Sequence, residues 1–218
     1  MSEPTITALN ISGYSDSAVP NKFFRQSGSA TELAVIFPGL RYTCDMPLLY
    51  YPTRLLLGRG ADVLQLHTDY NHPDFEQASP LARAQWLGAD ALAGVQTGLT
   101  MRPYDRLILV GKSIGTLAIG FLLAGGIAAS ATTIWLTPLL HQPLLVQAAS
   151  QCRAPALFIA SDADSTYDPA AMQHIQQACG AQSLILPGAN HSLEVPGDPV
   201  RSVQYLQAVL ESIKSLLA

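Results

Sequence analysis

Leu107-Ile108-Leu109-Val110-Gly111-Lys112-Ser113-Ile114-Gly115, followed by the apolar run to Ala129, is the stretch on which the reading of this chain turns. Four aliphatic residues in a row predict a strand buried on both faces, and the long apolar segment after Ser113 has the length of a helix. Between them stand two glycines around a serine. A sharp strand-to-helix turn needs residues without bulk at both flanks, so that the backbone can approach its neighbours, and it holds the serine out at the carboxyl edge of the sheet. A G-x-S-x-G pattern arises by chance roughly 0.07 times in a chain of this length, taking about 7% for each of the three residues. Its placement between strand and helix therefore carries more weight than the pattern.

Working outward, the same alternation repeats. Leu33–Phe37, Asp62–Leu66, Thr132–Leu136, Ala156–Ala160 and Ser183–Leu186 are further short apolar runs, separated by helix-period segments. This is the order of β-α units around a mostly parallel sheet, and runs without in-out alternation predict helices on both faces. Three helices announce their starts by a capping residue and a proline: Ser79-Pro80, Asp168-Pro169 and Asp198-Pro199. Proline loses nothing at the first helical position, where its missing N–H would be unpaired anyway. In the last helix Val203, Leu206, Leu210, Ile213 and Leu217 recur at three- and four-residue steps, which predicts an apolar stripe lying on the sheet. Ile6–Ile11 and Lys22–Arg25, with turn-rich sequence between them, predict a short antiparallel edge. Without repeats, low-complexity tracts or a linker, residues 1–218 are expected to form one domain, a three-layer α/β/α sandwich.

Composition narrows the function classes. With 49% hydrophobic and 13% charged residues and a net charge of −4, the chain fits neither a disordered segment nor a coiled coil, and it shows no basic patch for a nucleic acid. Ile114 to Ala129 falls short of the roughly 18 residues of a membrane span and reads as a buried helix. Neither a nucleic-acid nor a membrane partner is expected. Cys44, Cys152 and Cys179 are odd in number and scattered, which argues against a disulfide framework and a thiolate metal site. Met1-Ser2-Glu3-Pro4 has neither the positive nor the apolar region of a secretory signal, so a cytoplasmic location is expected.

The Gly111-Lys112-Ser113-Ile114-Gly115 elbow resembles that of the α/β-hydrolase family, and the resemblance covers the chain from about Leu33 to the last helix. That family implies the order serine, acid, histidine. Past the run ending at Ala160 lies Ser161-Asp162-Ala163-Asp164, and past Leu186 lies Gly188-Ala189-Asn190-His191-Ser192. Both are loops at carboxyl ends of strands, where open α/β sheets place their ligands. His191 stands in the setting of the family's catalytic histidine. Asp164 resembles the acid best, through the spacing of a G-x-x-D turn in which Ser161 replaces glycine; Asp162 is the competitor, and Asp168 has a helix-capping role of its own. The family's oxyanion hole uses the N–H of the residue after the nucleophile, here Ile114, and one from an earlier loop, here Pro38-Gly39-Leu40-Arg41, with Leu40 first and Arg41 second.

The resemblance implies acyl transfer from a small-molecule substrate to water through an acyl-enzyme, with no metal or cofactor. A small carboxylic ester is the expected substrate; a thioesterase, amidase or peptidase, or a non-catalytic scaffold, are the alternatives. Thr137–Pro155 is too short to hold a cap domain, so an open pocket edged by Tyr42, Met46, Leu139, Leu140 and His141 is expected. Gly111-Lys112-Ser113 is no phosphate-binding loop, because Arg106 stands where that motif needs glycine. Lys112 should diverge from Ser113 and lie at the surface. Cys44 could touch the pocket, although free cysteine is most often a small buried hydrophobe.

Overall fold

A computed structural model describes residues 3–218; Met1 and Ser2, where the stretch read for an export signal begins, lie outside the described residues. Two strands, β1 (Thr5–Thr7) and β2 (Asn21–Arg25), precede the apolar runs, which become β3 (Glu32–Phe37), β4 (Asp62–Leu66), β5 (Arg106–Lys112), β6 (Thr132–Leu136), β7 (Ala156–Ala160) and β8 (Gln182–Ile185). They form one sheet in the order β1-β2-β4-β3-β5-β6-β7-β8. β1 and β2 pair antiparallel with each other, β2 pairs antiparallel with β4, and the remaining neighbours run parallel. The predicted antiparallel edge is therefore present, but its first strand stops at Thr7; Leu9 instead exchanges hydrogen bonds with the Asn21 side chain.

Parallel neighbours require crossovers, and each is helical. α1 (Pro47–Gly58) links β3 to β4, α2 (Pro73–Gln77) and α3 (Pro80–Leu99) link β4 to β5, and α4 (Ile114–Ala124), α5 (Pro143–Ala149) and α6 (Pro169–Cys179) follow β5, β6 and β7. α7 (Pro199–Leu216) closes the chain. The three capping residues read from sequence do cap: Ser79 accepts from the Ala82 N–H, Asp168 from Ala170 and Ala171, and Asp198 from Arg201. α4 ends at Ala124, short of the apolar run that suggested it, because a turn around Gly125 and Gly126 (φ +73°) stops it.

Strand residues alternate between two layers. Val35, Leu109, Trp135 and Phe158 pack on one side with Val95, Ile119 and Ile175 of α3, α4 and α6. Ile36, Val110, Ile134 and Ile159 pack on the other with Leu49 and Leu56 of α1 and Val209 and Ile213 of α7. Each such buried side chain contributes about 1.5–3 kcal/mol, so both layers are driven by the same continuous apolar runs. The α7 stripe is rotated from the expected one: Val203 is 66% exposed, and Val209, not anticipated, is fully buried. Leu206, Val209, Ile213 and Leu217 keep three- and four-residue steps while facing the sheet.

This order positions a site. From β3 the chain crosses to β4 on one side and, after β4, to β5 on the other, so the loops after β3 and β5 diverge at the carboxyl edge. Ligands of open α/β sheets bind at such a switch point.

Candidate active site

At that edge Ser113 follows β5 directly and adopts φ 55°, ψ −119°, a conformation that non-glycine residues rarely take. Holding it costs about 1–3 kcal/mol, which the surrounding structure must supply. The flanking glycines explain how. A Cβ on Gly115 would lie 2.4 Å from the Phe37 carbonyl oxygen, and one on Gly111 would lie 2.6 Å from that of Gly115. Backbone meets backbone at both places, so only glycine lets α4 tuck under the end of β3.

Three loops converge on Ser113. His191 Nε2 lies 2.8 Å from Ser113 Oγ, and His191 Nδ1 lies 2.7 Å from Asp164 Oδ2. Asp164 is 5% exposed, and its other oxygen accepts from the Thr166 N–H at 3.0 Å. Burial by itself raises this carboxyl, but the hydrogen bonds from His191 and Thr166 outweigh burial and hold it below its ordinary value. An ionised carboxylate only accepts, so His191 Nδ1 donates to it, and in the neutral imidazole Nε2 accepts from the serine hydroxyl.

The other two acids are engaged elsewhere. Asp162 accepts from the Gly188 N–H at 2.7 Å, tying the β7 loop to the β8 loop, and Asp168 caps α6. Ser161, at the place where the family's turn has glycine, accepts from the Ala163 N–H and closes that turn with its side chain. Asn190 does the same beside His191, accepting from Ser192 and Glu194. Asn190 and Thr166 were not singled out from sequence, although Asn directly before a loop histidine is a recognisable turn signal.

Lys112 departs from expectation. It is 1% exposed rather than solvated. β5 continues through Lys112, and strand alternation sends its side chain to the face of Ile108 and Val110, away from Ser113 but into the interior. There its Nζ donates to the His191 carbonyl at 2.9 Å and stands 4.9 Å from the centre of the Tyr42 ring. Burial lowers its pKa to about 8, against a smaller opposing pull from Asp164.

The expected pocket edge is not one space. Tyr42 is buried, its hydroxyl accepting from the Leu48 N–H while its ring faces Lys112. Met46 stands at the N-cap position of α1 without a side-chain hydrogen bond to it, and the Leu139 N–H reaches the Thr116 hydroxyl at 3.4 Å. His141 lines a cleft of about 510 Å³ between α5 and α6 that includes none of Ser113, Asp164 or His191. The spread has a physical reason: β3 and β6 are separated by β5, so their loops open on opposite sides of the elbow. Cys44 is fully buried, donates to the Leu66 carbonyl, and has its thiol pushed up to about 12 by burial. Leu40, on the loop after β3, is 45% exposed, and Arg41 beside it turns the backbone with φ 58°. Ile114 is the first residue of α4, where backbone N–H groups lack helical partners. Among the described residues no cluster of three His, Cys, Asp or Glu could hold a metal ion.

No protein-family profile matches the sequence, and no curated protein matches it significantly. Solved structures do. A candidate α/β hydrolase of unknown function from Agrobacterium tumefaciens matches with a TM-score of 0.76 at 15% identity, over 98% of this chain and 96% of that one. A cold-adapted esterase from an Arctic intertidal metagenomic library matches with a TM-score of 0.70 at 15% identity, over 96% and 92%. A serine hydrolase without a lid from Xanthomonas campestris matches with a TM-score of 0.67 at 17% identity, over 96% and 94%. The strand order, the elbow at the end of β5 and these likenesses together give one conclusion: the chain has the α/β-hydrolase fold.

Proposed function

We propose that this protein is a serine hydrolase that cleaves small carboxylic esters, with Ser113 as nucleophile, His191 as general base and Asp164 as the group that orients the imidazole. The observation that carries the reading is the unbroken hydrogen-bonded chain from Ser113 Oγ through His191 to Asp164. In the reaction Ser113 attacks the ester carbonyl as His191 takes its proton, and His191 then protonates the leaving alcohol. Water, deprotonated by the same imidazole, releases the acid. The N–H groups of Ile114 and Leu40 stabilise the oxyanion, and one such donor contributes about 2.7–4 kcal/mol to the transition state. The strained backbone of Ser113, at the residue that hydrogen-bonds His191, supports catalysis over a binding scaffold.

Two neighbours are called an esterase and a lidless serine hydrolase, which supports ester cleavage at an open site. Thr137–Pro155 holds only the seven-residue α5, in keeping with one domain that lacks a cap. An apolar groove of about 330 Å³ between α4 and α5 starts at Leu117, one helical turn from Ser113, but like the cleft beside His141 it is lined by none of Ser113, Asp164 or His191. No helix among the described residues is long and apolar enough to cross a membrane, and the cysteines are unpaired; we place the protein in the cytoplasm. The test is turnover of p-nitrophenyl esters of increasing acyl length against matched thioesters and amides, with Ser113→Ala as control. Fastest turnover on short esters, lost in the variant, is expected; a rate on thioesters far above that on esters would overturn the ester assignment.

A further inference from the structure

Lys112 lies outside the Ser113-His191-Asp164 chain, yet its side chain touches two of the loops that assemble the site, those after β3 and β8. It is the residue directly before Ser113. Its methylenes run beneath the turn after β3, where a Cβ on Gly39 would sit 3.0 Å from Lys112 Cδ. Gly39 and Tyr42 close that turn by exchanging backbone hydrogen bonds, and the Tyr42 ring faces the ammonium. At its tip the ammonium donates to the carbonyl of His191 itself. One side chain thus connects the nucleophile, the oxyanion loop and the histidine loop.

We propose that Lys112, as a buried cation, is a positioning residue: it clamps the His191 backbone and the Gly39–Tyr42 turn to either side of Ser113. The proposal rests on the hydrolase reading above. A charged donor makes a hydrogen bond roughly twice as strong as a neutral one, and the ring face of tyrosine also attracts only the cation. Deprotonation therefore loosens both contacts at once. The groups facing the ammonium are the Tyr42 ring, the His191 carbonyl and, through space, the Asp164 carboxylate, with Glu194 beyond Tyr42. Tyr42 stays neutral well past the range that matters, because burial pushes it up to about 12. Lys112, brought down to about 8 by burial, changes charge first.

The experiment is the rate of fluorophosphonate labelling at Ser113 from pH 6 to 10, for the wild type and Lys112→Met, with folding checked by circular dichroism. The expected wild-type rate falls above about pH 8, and the variant labels on the order of 10- to 100-fold more slowly without that alkaline fall. Its ester kinetics should show the loss in kcat rather than KM. A variant that labels at the wild-type rate with the same pH profile overturns the proposal and leaves the hydrolase reading standing. If Lys112→Met does not fold, the wild type decides alone, because Lys22, Lys112 and Lys214 are the only lysines and their 13Cε resonances can be titrated individually. A Lys112 midpoint that coincides with the alkaline fall supports the clamp; a midpoint well above it refutes the clamp. No labelling of wild-type Ser113 at any pH removes the hydrolase reading, and the positioning role with it.

Discussion

The two edges of the sheet each bury a charge and treat it differently. At the amino edge, Asp62 opens β4 fully buried and fully partnered: Arg102 Nε lies 3.0 Å away, the Tyr104 hydroxyl donates at 2.8 Å and the Gln26 N–H at 2.7 Å. Arg102 in turn donates to the Gln26 and Gly28 carbonyls. At the carboxyl edge, Lys112 ends β5 equally buried, but its partners are a carbonyl and an aromatic ring. The strained Ser113 backbone is at this second edge as well. The first charge is neutralised by an opposite one within the fold, whereas the second is met only by a carbonyl and a ring face where loops converge on Ser113.

The largest effect separating the edges is expected at Asp164. Changing it to Asn leaves the hydrogen bond but permits the wrong histidine tautomer, and kcat on a short p-nitrophenyl ester should fall by about 10⁴, as for the corresponding change in other triads. Asp162→Asn should leave kcat nearly intact; the opposite ranking would assign the acid to Asp162.

Next is Asp62→Ala, which strands Arg102 at the amino edge. Removing one partner of a buried pair typically costs about 3–5 kcal/mol, so urea unfolding should show a loss of that order while kcat/KM of the folded fraction is unchanged. A loss of activity without a loss of stability there would erase the contrast between the edges.

A smaller effect is expected in alkali. The Lys112 pKa is lowered from 10.5 to about 8 on folding, so between these values the unfolded chain holds the proton and the native chain does not. Stability from this residue therefore rises with pH across that window, by about 3 kcal/mol at most, at 1.36 kcal/mol for each pH unit. Cys44 and Cys152, whose thiols burial pushes up to about 12 and about 11, act oppositely once pH passes their ordinary value of 9.0. They are common to wild type and Lys112→Met, so the difference in unfolding free energy between the two isolates the lysine. It should move in favour of the wild type from pH 8 to 10.5; a constant difference would mean that Lys112 is not desolvated.

The smallest effect is structural. Asp162→Ala removes the carboxylate that accepts from the Gly188 N–H, and thermal unfolding should report a loss of about 1–2 kcal/mol.

How much of this was legible in the sequence follows from which forces are local. β6 and β7 match the expected Thr132–Leu136 and Ala156–Ala160 because strands buried on both faces advertise themselves as unbroken apolar runs. The capped helix starts were equally plain, since Ser79, Asp168 and Asp198 act on N–H groups two or three residues away. Val203 and Leu210 misled because three- and four-residue spacing defines a stripe only to within one position, and the sheet selects Val209 over its neighbour Leu210 while Val203 faces out. Lys112 was read as a surface residue because charge normally predicts exposure, and its partners lie 70 and 79 positions away in the chain. The pocket edge was illegible for the same reason: which loops share a space depends on strand order, and the residues of one loop do not state it.

The central claim is that Ser113 is a nucleophile activated by His191, and active-site labelling tests it directly. Wild-type protein incubated with a fluorophosphonate and digested for peptide mass spectrometry should carry one adduct, on Ser113, that His191→Ala reduces by orders of magnitude. A folded wild type that remains unlabelled at Ser113, or that is labelled as fast without His191, would contradict the account.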